Sequence, residues 1–508
     1  MSAQSLRSAG MTVVTLSVAG KGIGLVREVV TAAIFGASLA VDLFLAAVTI
    51  PVAVGTILYH SLPNAFVPLF SDSDSHSGRN AAWIVALCAA PVSLLLWAVA
   101  PILAQVTTEG FSPEARTEAI WLFRIGSASI VFAAAEALLR SRLLAARRFV
   151  AAGVSDVWLS TITIAALLIH PEGGARTLAW GYTLGTVAAA FWSLSAVIFE
   201  KRAAHPPSAS HAPEHAPKLG WIAGVLVTGV AGFLYALIDR RFGSFLSEGS
   251  IASLQYASLL ASPLLTVCGM ALSTAAFPFL ARAVQLSDQA EVRRILDRSM
   301  RWSLLVGSAA TAVLVILGPE TASIIFERGA FDAGARTVTG NVARVYGIWL
   351  IPAVISTLVA RVFYSMGRWR PLFLATASGV CIKIGLSLWL VGRYDVMGLA
   401  TASAFAYCVI GSIMLALLPR WCLRGVLGGW LKLMMTVVLI VGGIAFLFQS
   451  IVLDTSIASW HLLAIIRVGI TVVLGGAILL FAGPDLGITE LTAWRSKVVK
   501  LVFRQSDK

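Results

Sequence analysis

Charge is scarce in this chain, and that scarcity is the first thing to explain. Asp, Glu, Lys and Arg make up 12% of its 508 residues, while 58% are hydrophobic. A soluble domain carries roughly 25% charged residues, so this composition, with a mean hydropathy of +0.87, excludes a soluble globular fold. Cysteine is sparse too. Cys88, Cys268, Cys381, Cys408 and Cys422 lie in or at the edge of apolar runs, with spacings that support neither a disulfide framework nor a metal site. Catalytic signatures are missing: no HExxH, no paired-carboxylate motif, no GxSxG elbow and no phosphate loop ending in Lys-Ser/Thr. Connections are short, without the large extracytoplasmic loop expected of a membrane glycosyltransferase or ligase. The chain therefore reads as a non-enzyme with no catalytic residue, no metal and no cofactor. An A-x-A-like cleavage site is also lacking, so the first apolar segment reads as an uncleaved span rather than a signal peptide.

Hydrophobic length is what the chain has in abundance. Apolar runs of 18 or more residues recur from end to end, the pattern of an all-α polytopic membrane protein. About fourteen spans are predicted, near 10–35, 41–69, 82–106, 118–146, 150–170, 176–199, 219–246, 251–283, 302–326, 338–366, 371–392, 396–418, 428–452 and 461–482. The formal net charge of +13 suggests nucleic acid until its distribution is read. Arg147, Arg148, Lys201, Arg202, Arg293, Arg294, Arg368, Arg370 and the tail basics fall in alternate connections. By the positive-inside rule this is an orientation signal, placing both termini in the cytoplasm of a multi-pass inner-membrane protein. Nucleic acid is then excluded as a partner and the bilayer takes its place.

The chain divides as follows: an N-lobe at 1–199, a Pro-rich cytoplasmic linker at 200–218, a C-lobe at 219–419, two further spans at 420–483 and a cytoplasmic tail at 484–508. The lobes read as copies. LLRSRLLAARRFV (138–150) overlays VARVFYSMGRWRP (359–371), pairing Arg140 with Arg361 and Arg147 with Arg368. NAFVPLF (64–70) likewise matches AAFPFLA (275–281). Two six-helix copies in the same orientation imply a pseudo-twofold axis along the membrane normal, with the site between them. His205, His211 and His215 in the linker read as solvated, because the prolines there prevent a helix from aligning them.

The segment Thr12–Asp42 carries the functional signal. It is apolar enough to span, yet holds Lys21, Arg27 and Glu28, with Asp42 just past its end. A charge near the bilayer centre costs about 2.5–3.5 kcal/mol on insertion scales, so these groups face protein or a water-filled cavity. Lys21 and Arg27 are six residues apart, roughly 120° around a helix, and both can border one cavity. Arg124, Glu136, Arg140, Asp156, Asp239, Arg240, Arg241, Arg361, Lys383 and Arg467 are further intramembrane charges. Interhelical ion pairs or snorkelling are the ordinary explanation for Arg140, Arg361 and Arg467. A concave cationic site without catalytic machinery suits binding and release of a phosphate-bearing ligand.

GLVREVVTAAIFGASLAVDLFLAA, NAFVPLF, IIFERGAFDAGARTVTGNVARVYGIWL and RVFYSMGRWRP together resemble the MurJ (MviN) lipid II flippases of the multidrug/oligosaccharidyl-lipid/polysaccharide exporter superfamily. The resemblance implies two lobes around a central cavity. That cavity would take the head of a polyprenyl-pyrophosphate-linked saccharide, and spans 13 and 14 would form a groove for its lipid tail. It also implies alternating access, biased by membrane potential, in a monomer that works alone or with cell-wall or polysaccharide-synthesis enzymes. Substrate-binding residues carried over are Lys21, where the family usually has arginine, Arg27, Asp42 and Arg240. Asp239 and Lys383 form an ion-coupling site or an internal ion pair. In the second reading the Lys383 ammonium replaces the family's sodium ion and makes transport sodium-independent.

Three departures from the family stand out. The second-span basic pair is replaced around Gly55 and Thr56, with His60-Ser61 near the family's Glu-Gly. The eighth span reads Tyr256-Ala257-Ser258-Leu259, without the expected basic residue. Lys383 stands at or beside the position where the family has an eleventh-span asparagine. Fewer cations keep two alternatives open: a flippase for another capsule or exopolysaccharide precursor, or a degenerate non-transporting scaffold. A cation-coupled drug exporter is a further reading, disfavoured by a cationic cavity.

Overall fold

The computed structural model describes residues 20–71, 75–146, 148–199, 232–450, 460–485, 488–492 and 494–496, and every regular element among them is helical. Helix α1 covers 20–35. It is followed by α2 (Leu39–Ser71), α3 (Ser75–Ala98), α4 (Ala100–Thr108), α5 (Pro113–Ala145), α6 (Phe149–Ile169) and α7 (Gly174–Ile198). Helix α8 covers 232–243. Then come α9 (Ser250–Leu265), a π turn at Thr266–Ala271, α10 (Leu272–Gln285), α11 (Gln289–Phe326) and α12 (Ala333–Ser365). The chain continues through α13 (Arg370–Leu417), α14 (Arg420–Leu423), α15 (Leu427–Ser450) and α16 (Trp460–Ala482).

Among the described residues ten helices are long and apolar enough to cross a membrane. An eleventh span exists if the pair Leu87–Ala98 and Ala100–Thr108, bent by 64°, crosses as one. The 48-residue α13 holds two predicted spans, divided where Asp395 leaves helical geometry at φ 52°. The first and seventh predicted spans are described only from residues 20 and 232 onward. The polytopic all-α class is thus established, and these helices are consistent with fourteen spans. The 200–218 linker lies outside the described residues.

Helix boundaries follow local chemistry. Ser112 caps α5 by accepting from Ala115 N at 3.3 Å, with Pro113 next and Glu114 in the first turn. Asp288 does the same for α11, accepting from Glu291 N at 2.9 Å, and Asp332 for α12, accepting from Ala335 N at 2.8 Å. Each cap carries an acidic or hydroxyl oxygen to the positive end of a helix dipole.

The chain forms two compact units. Unit 1 comprises Met1–Ala216, Ala236–Ala252 and Arg328–Phe331; unit 2 comprises Pro217–Tyr235, Ser253–Glu327 and Asp332–Lys508. In unit 1, α2 packs along α5 through fully buried Ala46, Ala47 and Ala119. A Cβ on Gly126 would already lie 3.4 Å from Pro51 and Val48, so only small residues let these backbones approach. In unit 2, α11 and α12 form the centre, with Leu296, Met300, Leu358 and Phe363 sealed from solvent.

The duplication read from the sequence has a physical counterpart. Arg140 on α5 stacks over the Tyr59 ring of α2 at 4.6 Å, and Arg361 on α12 stacks over the Phe277 ring of α10 at 5.6 Å. In each half, the arginine of the repeat lies on an aromatic ring from the second span.

Two glycines mark turns where the backbone leaves no room. Gly249 has φ +82° and Gly329 φ +59°, and an added Cβ would sit 2.3 Å from the Ala37 carbonyl oxygen and 2.2 Å from that of Ala33. Both turns belong to unit 1. Gly249→Ala is expected to lower stability by at least about 2 kcal/mol, read as a fall in Tm. Gly476→Ala, with no atom within 4 Å of the new Cβ, leaves it unchanged or slightly raised.

Candidate functional site

Helix α1 carries two of the predicted cations. Lys21 is exposed, while the Arg27 side chain is 23% exposed and its Nη2 donates to Glu28 Oε1 at 2.5 Å. Adjacent residues diverge around a helix, so this pair draws the guanidinium sideways along unit 1. The charge of Arg27 also acts on Tyr182 of α7. Thr31 donates its hydroxyl to the Arg27 carbonyl at 2.9 Å, bracing the turn that presents the arginine.

Asp42 sits at a different kind of site. Its side chain is buried, and its two carboxylate oxygens accept from Gly249 N and Ala252 N, each at 2.7 Å. Gly249 immediately precedes α9 and Ala252 lies in its first turn. Asp42 of α2 therefore supplies, from 207 residues away, the cap that α9 lacks in its own sequence. Arg240 is buried and close enough for its charge to act on Asp42. Its neighbour Arg241 forms an ion pair with Glu109, and Gly110 N donates to Ser244 Oγ at 3.0 Å. These contacts tie the α4–α5 and α8–α9 connections into one end of unit 1.

The FERGAF motif is a tether at the same end. Within unit 1, Ala330 N donates to the Ala33 carbonyl at 2.8 Å, filling an open acceptor in the last turn of α1. Within unit 2, Glu327 accepts from Arg336 Nη1 at 2.6 Å and from the Ser323 hydroxyl, and Phe326 packs on Tyr256 with centroids 5.1 Å apart.

Lys383 lies in unit 2 and is 1% exposed. Its Nζ donates to the Tyr235 carbonyl at 3.0 Å and stands 4.5 Å from the centroid of the Tyr235 ring. Tyr235 contacts Tyr407 in a tilted pair at 5.4 Å, and Tyr407 stacks on Trp349 at 4.9 Å between centroids. A backbone carbonyl and a π face thus offset part of the cost of burying this ammonium. Asp239, the partner anticipated for it, belongs to unit 1. Arg467 of α16 pairs with Glu320 of α11 at 3.2 Å, the interhelical ion pair anticipated for such a residue. Unit 2 also has an apolar groove of about 320 Å³ where Ile348, Met434, Met435, Val438 and Leu439 face one another.

In unit 1 the structure brings Asp42 and Arg240 together at one end and places Arg27 beside Glu28. A second buried acid of that unit, Glu136, is assigned no role from sequence. Glu136 was visible there only as one intramembrane acid among several, and nothing local distinguished it from an ion-paired group.

Comparison with known proteins supplies the lineage. The sequence model of the family described as "Lipid II flippase MurJ" matches residues 31–467. The chain is 27% identical over 408 residues to a "Probable lipid II flippase MurJ" of Rhizobium tropici, covering 75% of each. It is 26% identical over 379 residues to the "Lipid II flippase MurJ" of Burkholderia cenocepacia, covering 70% of this chain and 72% of that one. In fold it is similar to a "Lipid II flippase MurJ, inward closed conformation", with TM-score 0.74, 20% identity and coverage of 92% and 98%. An inward-facing MATE transporter of the MOP superfamily is similar at TM-score 0.59 and 12% identity, over 83% of this chain and 99% of that one.

Because Asp42 satisfies two backbone donors, Asp42→Ala is expected to destabilise the protein by about 2–5 kcal/mol. Asp42→Asn, which keeps one carbonyl acceptor, falls between. Thermal unfolding of the purified chain checks the order of the three proteins.

Proposed function

The chain belongs to the lipid II flippase MurJ family, and on that premise we propose that it moves a polyprenyl-pyrophosphate-linked saccharide of the lipid II type across the membrane. It is a transporter in this reading, carrying its cargo from the cytoplasmic to the periplasmic leaflet of the inner membrane, with both termini cytoplasmic. The observation that carries the reading is the partly exposed Arg27 on α1, held within an apolar, membrane-spanning helical unit. Arg27 offers a two-pronged donor to pyrophosphate and the exposed Lys21 a mobile point charge near the cytoplasmic end of the same helix. Arg240 adds a third positive group. Asp42, with both oxygens taken by amides, contributes by fixing the end of the unit rather than by touching cargo. The apolar groove along α15 suits the polyprenyl tail, because an isoprenoid chain needs only a hydrocarbon-like trough.

A resident cationic site also responds to voltage. Each positive charge that crosses the field gains about 2.3 kcal/mol per 100 mV toward a negative cytoplasm. The empty transporter is therefore drawn to rest open inward. Asp239 and Lys383 are proposed to set the ion dependence of the C-terminal half. The Lys383 ammonium, already seated on the Tyr235 carbonyl and ring, serves there in place of a bound ion.

A second reading within the same fold is favoured by one observation. The interior cavity beside Gly55 and Thr56, where the resemblance predicts a basic pair, is lined by no Lys or Arg among the described residues. Weaker capture of pyrophosphate follows, as for another lipid-linked saccharide.

Expression in cells depleted of their own lipid II flippase separates the two: growth is restored if lipid II is the cargo and is not if a different saccharide is. At matched membrane levels, Arg27→Ala is expected to reduce transport by about 10- to 100-fold through loss of charge-assisted hydrogen bonds. Lys21→Ala is expected to reduce it less, since its ammonium is exposed. Full transport by Arg27→Ala excludes that residue as a head-group ligand.

A further inference from the structure

Unit 1 contains a polar site distinct from Lys21 and Arg27. A cavity of about 200 Å³ opens among α2, α5, α6 and α7. Glu136 of α5 lines it and is 2% exposed, and among the described residues only the Ser155 hydroxyl is placed to act as a hydrogen-bonding neighbour of its carboxyl, with no cation paired to it. A buried carboxylate without a positive partner is one of the costliest groups a membrane interior can hold, so its presence asks for a ligand.

The surrounding hydroxyls narrow what that ligand is. Ser155 borders the carboxyl as its hydrogen-bonding neighbour, and its hydroxyl also lies 2.9 Å from the Ala152 carbonyl. Thr186 donates to the Tyr182 carbonyl at 2.9 Å. A hydroxyl has one proton and two lone pairs, so both groups keep lone pairs for the cavity. Two hydroxyl oxygens therefore join a carboxylate that needs positive charge.

The fixed cations nearby are committed elsewhere. Arg140, one turn along α5 from Glu136, lays its guanidinium on the Tyr59 ring at 4.6 Å. Arg27 is paired with Glu28, and its charge acts on Tyr182, which lines the cavity. Tyr59 and Tyr182 are the titratable groups facing Glu136 from α2 and α7. A divalent ion is poorly matched: among the described residues no cluster of three acidic, histidine or cysteine side chains exists.

We propose that this cavity binds one small monovalent cation, an alkali ion or a proton, on Glu136 with the Ser155 and Thr186 hydroxyl oxygens as its further ligands. An alkali ion is held by the carboxylate and both lone-pair donors. A proton resides on the carboxyl and is donated to one of them. The volume also admits a few waters, at about 30 Å³ each, which give the ion a hydrated route in and out. Loading this site alters the charge balance of the N-terminal half independently of any lipid-linked cargo.

The test uses the purified full-length chain in detergent without lipid cargo, so that it stands or falls apart from the transport reading. Thermal unfolding is followed in 100 mM choline chloride and in 100 mM NaCl at constant pH, then in choline from pH 8.5 to 5.5. A rise in Tm of about 2–4 °C with sodium assigns an alkali ion, and the same rise on acidification in choline assigns a proton. Glu136→Gln, which keeps shape and removes charge, abolishes whichever response is seen. Ser155→Ala raises the half-maximal sodium concentration about 10-fold, or shifts the midpoint of the acid response, and serves if Glu136→Gln does not accumulate. A wild-type protein indifferent to both ions, or a Glu136→Gln variant that keeps the response, overturns the proposal.

Discussion

Hydrocarbon offers no water to solvate a charge, so each intramembrane ion in this chain must be met by protein or by something bound. That constraint organises the structure more than any other. Arg467 is met by Glu320 and Arg241 by Glu109. Arg124 rests on Trp97 at 4.6 Å, and Arg140 and Arg361 rest on aromatic rings from the second span of their own half. Lys383 takes a carbonyl and a tyrosine face. Arginine predominates because its flat, weakly hydrated guanidinium can lie on a ring as readily as it can fork a carboxylate. Lys21 and Arg27 are left partly open, the first exposed and the second 23% exposed beside Glu28.

The same constraint explains how unit 1 is closed at one end. Helix termini leave backbone donors and acceptors that a membrane interior cannot satisfy. Asp42 serves the start of α9, and Ala330 serves the end of α1. Segments from the second half of the chain, 236–252 and 328–331, are thereby incorporated into the first compact unit. The glycines at 249 and 329 are required because carbonyl oxygens of α1 and its turn press against them. A motif whose letters resemble a family signature thus proves to be a fastening, with its Glu327 paired to Arg336 of α12.

Much of this was legible in the sequence. The helical class, the apolar spans and the duplication depend on hydrophobic periodicity and length, which are local properties. The break of α13 near Asp395 fell between two predicted spans, whereas the caps at Ser112, Asp288 and Asp332 emerged with the structure. The absence of catalytic motifs pointed away from chemistry and toward transport, and family membership agrees. The roles of Asp42 and Glu136 were not legible. Both are acids in apolar surroundings, and sequence gives no sign that one meets two amides while the other meets none.

What the sequence by itself determined is that this chain spans a membrane many times, in two related halves, with positive charge embedded where only a ligand or a partner makes it tolerable. Composition and periodicity suffice for that, because the cost of placing each residue in hydrocarbon depends on the residue alone. Only the tertiary structure decided which ions are neutralised and which stand open. Asp42 is separated from its partners by more than 200 positions and Arg467 from Glu320 by 147. Pairing across such distances depends on which helix faces meet, and that is a property of packing rather than of any local pattern.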